Sequence, residues 1–154
     1  MNQLEIQVAS DSKALPDKSQ FQNWVDTVLI DPDENTEIVI RIVDETESAS
    51  LNQQYRHKNG ATNVLSFPFE APEHISTFLL GDLVICAPVI EQQAIDQQKP
   101  LDHHWAHIVI HGVLHLCGYD HLDETEAEEM EAKEIAFLKK LTISNPYQEK
   151  NTHE

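Results

Sequence analysis

The sequence predicts an α+β fold: a single domain in which one small mixed sheet of about four strands packs with about five helices. Three observations predict this class. The chain has 154 residues, the usual size of one domain. Hydrophobic residues make up 40% of the chain, which is enough apolar material for one core. Strand patterns cluster early in the chain and helical patterns late.

The early part of the chain alternates between strand and helix patterns. Apolar residues at every second position over 4–8 predict a half-buried strand. Pro16 suits the first turn of a helix whose apolar face lies within 21–28. The β-branched run 38–43 predicts a strand covered on both faces, and a helix is predicted over 46–54.

Two further strands complete the predicted sheet. Residues 64–69 predict a strand at an edge or ending there, because Pro68 lacks an amide donor. Residues 79–86 predict another strand. A helix is predicted over 88–98, since the proline that begins this run suits a first helical turn.

The last two predicted helices are defined by the signals at their ends. A helix over 102–117 is followed by Gly118, which readily adopts the left-handed conformation that closes a helix. Asp123 and Glu126 have the spacing of a capping box and open a helix that runs to about residue 141.

Charge and cysteine content narrow the possible functions. Lys and Arg total 10 against 27 Asp and Glu, so the net charge is −17 with neutral histidine. This balance opposes general binding to DNA, RNA or anionic lipid, which uses cationic side chains to replace counterions. Two cysteines, Cys86 and Cys117, cannot form a disulfide framework and fit a reducing compartment.

No targeting or membrane segment is evident in the sequence. The first residues lack the basic and apolar regions of a signal peptide, and no apolar run is long enough to span a bilayer. We therefore expect a soluble, cytoplasmic protein without membrane contact. Residues 1–154 are predicted to form one domain, with 145–154 as a polar, flexible tail.

Histidines carry the main chemical signal. Six of the nine lie within residues 103–121. His111 and His115 are one helical turn apart, about 6 Å along the axis, so both rings face the same way and can share an ion. Gly118 turns the chain, which lets His121 return toward the pair. Three neutral imidazoles leave an open coordination position, as in catalytic zinc sites.

The other residues of this region have more ordinary interpretations. Paired histidines alone are often surface or core residues, and only the third histidine makes a metal site the better hypothesis. Cys117 is predicted to be a core residue and not a ligand, and His107 a core residue or a support for the site. His103 and His104 are expected to be solvated near the helix start. Imidazole also suits nickel and copper, so the metal is not settled by the ligands.

The histidine spacing also resembles the metzincin signature, His-Glu-x-x-His-x-x-Gly-x-x-His. The glutamate that acts there as general base is replaced here by Gly112. A peptidase built this way would lack the group that accepts a proton from water. Proteolysis is therefore disfavoured.

The full stretch His-Gly-Val-Leu-His-Leu-Cys-Gly-Tyr-Asp-His over 111–121 resembles the signature of the YbeY family, bacterial endoribonucleases of ribosomal RNA maturation. Two more segments match this family: Tyr-Arg at 55–56 through Thr-Asn-Val-Leu-Ser-Phe-Pro at 62–68, and Leu-Gly-Asp-Leu-Val-Ile at 80–85. The resemblance spans roughly residues 37 to 140. It is specific, because three separate motifs coincide in the same order.

The resemblance implies a zinc-dependent endoribonuclease that prefers single strands and acts in 16S rRNA maturation and ribosome quality control. It implies that His111, His115 and His121 bind one Zn²⁺ per chain, with nickel or another divalent ion as a substitute, and that Arg56 is catalytic. Water activated by the metal would attack a phosphodiester while Arg56 stabilises the phosphate charge. The implied partners are ribosomal RNA, the ribosome and proteins of the small subunit, and not DNA.

Two aspartates near these motifs each have two possible roles. Asp82 is predicted to be structural, although orienting a ligand histidine is the alternative. Asp120 either assists water activation or caps the following helix, and no residue is predicted as general base. The basic residues are expected to line one side of a cleft; they are Arg41, Arg56, Lys58 and the neighbouring His57.

Two alternative functions remain beside the endoribonuclease. One is a ribosome-associated binding factor whose metal is mainly structural, and the other is a peptidase or another small-substrate metallohydrolase. Because the chain is acidic, we expect weak affinity for free RNA, with recognition supplied by the ribosome or a protein partner.

Overall fold

The computed structural model describes residues 1–31, 33–70 and 78–147. Four strands and five helices occur in these ranges, which confirms the predicted α+β class. In chain order they are β1 (Asn2–Ala9), α1 (Lys18–Val28), β2 (Thr36–Val43), α2 (Glu45–Arg56), β3 (Val64–Pro68), β4 (Leu79–Cys86), α3 (Ala87–Asp96), α4 (Leu101–Leu116) and α5 (Glu124–Lys140).

The strands form one mixed sheet in the order β1-β2-β4-β3. Strands β1, β2 and β4 are parallel, as expected of strands joined through helices. Strand β3 pairs antiparallel to β4 and forms an edge of the sheet. Pro68 is its last residue, where a missing amide donor costs little, so the predicted edge position is confirmed.

Helix α4 lies in the centre of the main core, against one face of the sheet. Ten of its 16 residues are buried, and Trp105 packs edge-on against Phe21 of α1 with ring centroids 5.7 Å apart. Gly112 allows α4 to approach β4 closely, because a Cβ atom there would lie 2.8 Å from Leu83 Cδ2. Position 112 therefore faces the sheet.

The opposite face of the sheet is only partly covered, by α2. A small cluster of Val43, Leu65, Val84 and Cys86 lies there. Because side chains alternate along a strand, Asp82 lies on this face and is exposed, so it does not orient a histidine of α4. Arg41 of β2 pairs with Glu47 of α2 at 2.6 Å. The prediction that β2 is covered on both faces is therefore only partly correct.

The helix starts differ slightly from the predicted ones. Pro16 does not enter α1, since Asp17 caps this helix by accepting a hydrogen bond from the Gln20 N–H at 2.9 Å. Asp123 caps α5 as predicted, by accepting from the Glu126 N–H at 2.8 Å. Asp120 is not the cap of α5. These caps satisfy amide donors that a helix leaves unpaired at its first turn.

The environments of Cys117 and Tyr147 differ from the predicted ones. Both cysteines are free, and Cys117 is exposed, so its predicted place in the core is wrong. Tyr147, inside the predicted flexible tail, contacts α4 and α5, whereas 148–154 lie outside the described residues. None of the helices described here has both the length and the apolar character needed to cross a bilayer.

Candidate metal centre

The last two turns of α4 bring two histidines together. His111 and His115 are four residues apart on this helix, so their side chains project from the same face. Their Nε2 atoms lie 3.1 Å apart, and their ring centroids are separated by 4.6 Å. Both residues are half-buried, so their rings are partly accessible to solvent.

The turn after α4 returns the third histidine to this pair. Gly118 has a φ of +101°, a conformation that side chains other than glycine rarely adopt, and the chain reverses there. The His121 ring centroid lies 5.2 Å from that of His115 and 6.0 Å from that of His111. One ligand nitrogen of each ring lies within 4.8 Å of the other two, so the predicted convergence is confirmed.

This arrangement is capable of binding a metal ion. The three donors are imidazole nitrogens, which suit zinc and related divalent ions. Burial is the main cause that lowers the pKa of His115, and the neighbouring imidazoles of His111 and His121 add to it. A lowered pKa favours the neutral ring, which is the form that coordinates metals.

A buried carboxylate supports the centre from α5. Glu134 is 1% exposed, and its Oε2 accepts a hydrogen bond from His111 Nδ1 at 2.9 Å. Its Oε1 accepts from His107 Nε2 at 2.7 Å and from the Tyr147 hydroxyl at 2.6 Å. Although burial alone would raise the pKa of Glu134, these hydrogen bonds and the charge of His111 lower it to about 2.

Sequence reasoning did not identify Glu134. A signal was present, because Glu134 lies between Met130 and Leu138 at intervals of four residues, in the buried stripe of α5. Glutamate is almost never fully buried without a partner, so its place in an apolar stripe indicates a specific contact. The identity of that contact depends on how α5 packs on α4, which the local pattern does not contain.

The remaining histidines of α4 take different positions. His107 hydrogen-bonds Glu134, as expected of a residue that supports the site. His104 was expected to be solvated, and this prediction is wrong: the residue is 2% exposed. Its Nε2 donates to the Gln93 side-chain oxygen at 2.8 Å, because the ring faces α3. His103 is half-buried near the start of the helix.

A cleft of about 780 Å³ joins the histidines to the predicted catalytic arginine. One wall is formed by Tyr55, Arg56 and residues 62–68, and the other by the three converging histidines with residues 118–120. Arg56 is in the last turn of α2 and is exposed. Within the described ranges its guanidinium has no acidic partner, so its donors face the cleft and solvent.

The loop between α2 and β3 is held by two buried side chains of α2. The Ser48 hydroxyl donates to the Thr62 carbonyl and accepts from the Thr62 N–H, both at 3.0 Å. Asn52 Nδ2 donates to the Gly60 carbonyl at 2.9 Å. These hydrogen bonds fix the wall that contains Arg56 relative to the sheet.

The other charged residues expected at the cleft are placed differently. Arg41 lies on the opposite face of the sheet, so its predicted position is wrong. His57 and Lys58 follow Arg56 but are not among the residues that line the cleft. Asp120 does line it, and its Oδ1 accepts from the His121 N–H at 2.8 Å, which stabilises the turn that presents His121.

Comparisons with known proteins agree with these features. The sequence model of a family described as "Endoribonuclease YbeY" matches residues 5–142. "Endoribonuclease YbeY" of Methylococcus capsulatus is 56% identical over 149 residues, which cover 97% of this chain and 97% of that protein. The protein of the same name from Colwellia psychrerythraea is 55% identical over 150 residues, covering 95% of this chain and 97% of that one.

A solved structure shares the fold. The solution structure of TM1509 from Thermotoga maritima is similar to this chain with a TM-score of 0.59 and 21% sequence identity. The match covers 97% of this chain and 99% of that one. At this level of identity the likeness concerns the fold alone.

Proposed function

The chain belongs to the YbeY endoribonuclease family, and we propose that it is a zinc-dependent endoribonuclease. The observation that carries this proposal is the meeting of three imidazoles at one wall of a cleft whose other wall contains Arg56. His111, His115 and His121 hold the ion, and Arg56 binds the phosphate of the RNA that enters the cleft.

The donor set fits a catalytic ion better than a structural one. Catalytic zinc sites use three protein ligands, whereas structural sites are closed by a fourth, often cysteine. Among the described residues the group consists of three histidines, and Cys117 is not part of it. When bound, zinc supplies Lewis-acid chemistry, which brings the pKa of water toward neutrality and offsets charge on a phosphodiester.

Arg56 supplies the second positive charge of the site. Its planar guanidinium can donate two parallel hydrogen bonds to phosphate oxygens, which lysine cannot do. Attack on a phosphodiester increases the negative charge on the equatorial oxygens, and a fixed donor at that point stabilises the transition state. Because Arg56 has no acidic partner within the described ranges, it does not have to leave an ion pair to bind phosphate.

A preference for single strands is supported by the aromatic wall beside Arg56. Tyr55 is 56% exposed, and its ring contacts Phe67 edge-on with centroids 5.1 Å apart. An exposed aromatic ring can stack on an unpaired base, but not on a base inside a duplex.

The biological substrate that we propose is ribosomal RNA, in 16S rRNA maturation and ribosome quality control in the cytoplasm. The family resemblance supports this substrate, and the net charge of −17 supports a need for partners. An acidic protein gains little from counterion release on free RNA, so the ribosome or a small-subunit protein supplies part of the binding energy.

Two alternatives are less well supported. A peptidase would need an acid near the position of Gly112, and this position faces Leu83 in the core. A binding factor with a structural metal would not need an exposed arginine opposite the histidines that lacks an acidic partner in the described part of the chain.

Replacing Arg56 with alanine tests the proposal. We expect Arg56→Ala to lower the rate of cleavage of single-stranded RNA by roughly 10²- to 10³-fold, the usual effect of removing one transition-state donor. Folding and zinc content should stay unchanged, since Arg56 is exposed and is not one of the three grouped histidines. Arg41→Ala is the matched control, because Arg41 lies on the other face of the sheet, and it should cleave normally.

Contaminating ribonucleases are controlled by an identically purified His121→Ala variant, which should be inactive. Normal cleavage by Arg56→Ala would contradict the role of this residue. A wild-type protein that retains zinc and binds the small subunit, but cleaves no more than His121→Ala, would favour the binding factor.

A further inference from the structure

We propose that Glu134 is the positioning residue of the metal centre: its carboxylate holds the His111 ring so that Nε2 is presented to the ion. This inference rests on the metal site proposed above. It assigns a role to a residue of α5, a helix that contributes none of the three grouped histidines.

The hydrogen bonds of Glu134 determine which nitrogen of His111 is free. An ionised carboxylate only accepts hydrogen bonds, so the His111 Nδ1 that lies 2.9 Å from Oε2 must carry a proton. In a neutral ring the other nitrogen, Nε2, then has an unprotonated lone pair. This atom faces His115 Nε2 at 3.1 Å, at the point where the three histidines meet.

The carboxylate is itself held in place. Its second oxygen, Oε1, accepts from His107 Nε2 at 2.7 Å and from the Tyr147 hydroxyl at 2.6 Å. Both oxygens are therefore engaged, and the group cannot rotate without losing hydrogen bonds. His107 and Tyr147 thus orient Glu134, and Glu134 orients His111. Because the His111 ring is already oriented, zinc binding does not have to restrict its rotation.

The fold alone gives little reason for a carboxylate at this position. Glu134 lies in the buried stripe of α5 between Met130 and Leu138, where an apolar residue would continue the packing. Replacing a buried ionic group with an apolar one of similar size is often neutral or stabilising. The network also leaves His107 Nδ1 buried and without a partner among the described residues. A direct contact with a metal ligand explains why this arrangement is used.

The test compares two variants that each replace one glutamate of α5 with glutamine. Glu134→Gln keeps the size of the side chain but replaces the obligate acceptor with an amide, which either accepts from or donates to His111. Glu128→Gln is the matched control, since it makes the same change at an exposed position of the same helix. For each protein, nitrogen NMR of the metal-free state reports the His111 tautomer, and calorimetric titration with Zn²⁺ reports the dissociation constant.

We expect wild type and Glu128→Gln to hold His111 in the Nδ1–H tautomer with similar zinc affinity. Glu134→Gln should show mixed tautomers and bind Zn²⁺ roughly 10- to 100-fold more weakly, the usual effect of losing such a partner. If Glu134→Gln does not fold, Glu134→Leu, which continues the apolar stripe, is measured in the same way. A pure Nδ1–H tautomer and wild-type zinc affinity in the Glu134 variant would overturn the proposal.

Neither readout uses RNA, so this inference and the proposed function can fail separately. A wild-type protein that binds Zn²⁺ with the expected tautomer but cleaves no RNA would overturn the nuclease proposal and support the role of Glu134. A wild-type protein that cleaves RNA, with a His111 tautomer that does not depend on Glu134, would overturn the role of Glu134 alone.

Discussion

His104 and His115 lie on the same helix, and their surroundings give them different properties. His115 lies at the cleft beside two other histidines. His104 faces α3, where its Nε2 donates to Gln93. Burial, followed by the positive charges of Lys99 and His107, lowers the pKa of His104 to about 4. His104 is thus a neutral structural residue at about pH 7.

The lowered pKa of His104 predicts a pH dependence of stability. The unfolded chain binds a proton near pH 6.5 and the folded chain only near pH 4, so protons favour unfolding between these values. Neutral His104 therefore makes its full contribution to the free energy of unfolding above pH 6.5. This contribution is lost as the pH falls toward 4. At about pH 5 the loss should be about 2 kcal/mol.

Urea denaturation of metal-free wild type and His104→Gln, at about pH 7 and about pH 5, measures this effect. The loss on acidification should be smaller in His104→Gln, since the titrating group is gone, whereas all the other titratable groups are present in both proteins. The same loss in both proteins would contradict the prediction.

At the scale of residues, the sequence predicted the contacts that follow from local spacing. His111, His115 and His121 are close in the chain, and a helical turn followed by Gly118 is enough to bring them together. Glu134 and His104 were missed because their partners, on other helices, are defined only by packing. The exposure of Cys117 was likewise not predicted, because the residues that precede it in the sequence are mostly apolar.

Helix α4 shows how one element combines packing and chemistry. Its central residues are buried around Trp105, and Gly112 brings the helix against Leu83. The same helix presents His111 and His115 on the side that faces the cleft. The close approach at Gly112 therefore sets the distance between the metal centre and the sheet.

Gly112→Glu, which would restore the metzincin pattern, should destabilise the protein. A Cβ atom at position 112 already lies 2.8 Å from Leu83 Cδ2, and the carboxylate would be buried without a partner. We expect a loss of several kcal/mol, measured by urea denaturation, and no gain of peptidase activity against a peptide library. Asp102→Glu, at an exposed position of the same helix, should change stability little. A stable, proteolytic Gly112→Glu variant would show that position 112 faces the metal centre.

At the scale of elements, apolar periodicity and the signals at helix ends predicted every strand and helix of the described residues, but not what surrounds each element. The run 38–43 looked fully buried, yet Arg41 reaches the partly open face and pairs with Glu47. Asp120 and Asp123 are both plausible caps in the sequence. Only the path of the turn decides that Asp123 caps α5 and that Asp120 binds the His121 amide.

The whole molecule combines a net charge of −17 with a cleft that contains one arginine among its lining residues. We expect weak binding of single-stranded RNA to the isolated protein, with a slope of log K against log salt of about −0.7 for each phosphate that is neutralised. If Arg56 neutralises one phosphate, a total slope of about −0.7 is therefore expected in fluorescence anisotropy titrations at several salt concentrations. Tight binding that does not respond to salt would contradict this prediction.

Metal content, measured together with RNA cleavage before and after treatment with a chelator, is the most direct test of a metal-dependent nuclease. We predict one divalent ion per chain in the wild-type protein, loss of cleavage when the ion is removed, and recovery when Zn²⁺ is added back. His111→Ala, His115→Ala and His121→Ala should each lose both the ion and the activity. Undiminished cleavage by a metal-free wild-type protein, at a rate well above that of His121→Ala, would show that the nuclease does not depend on a metal at the three histidines.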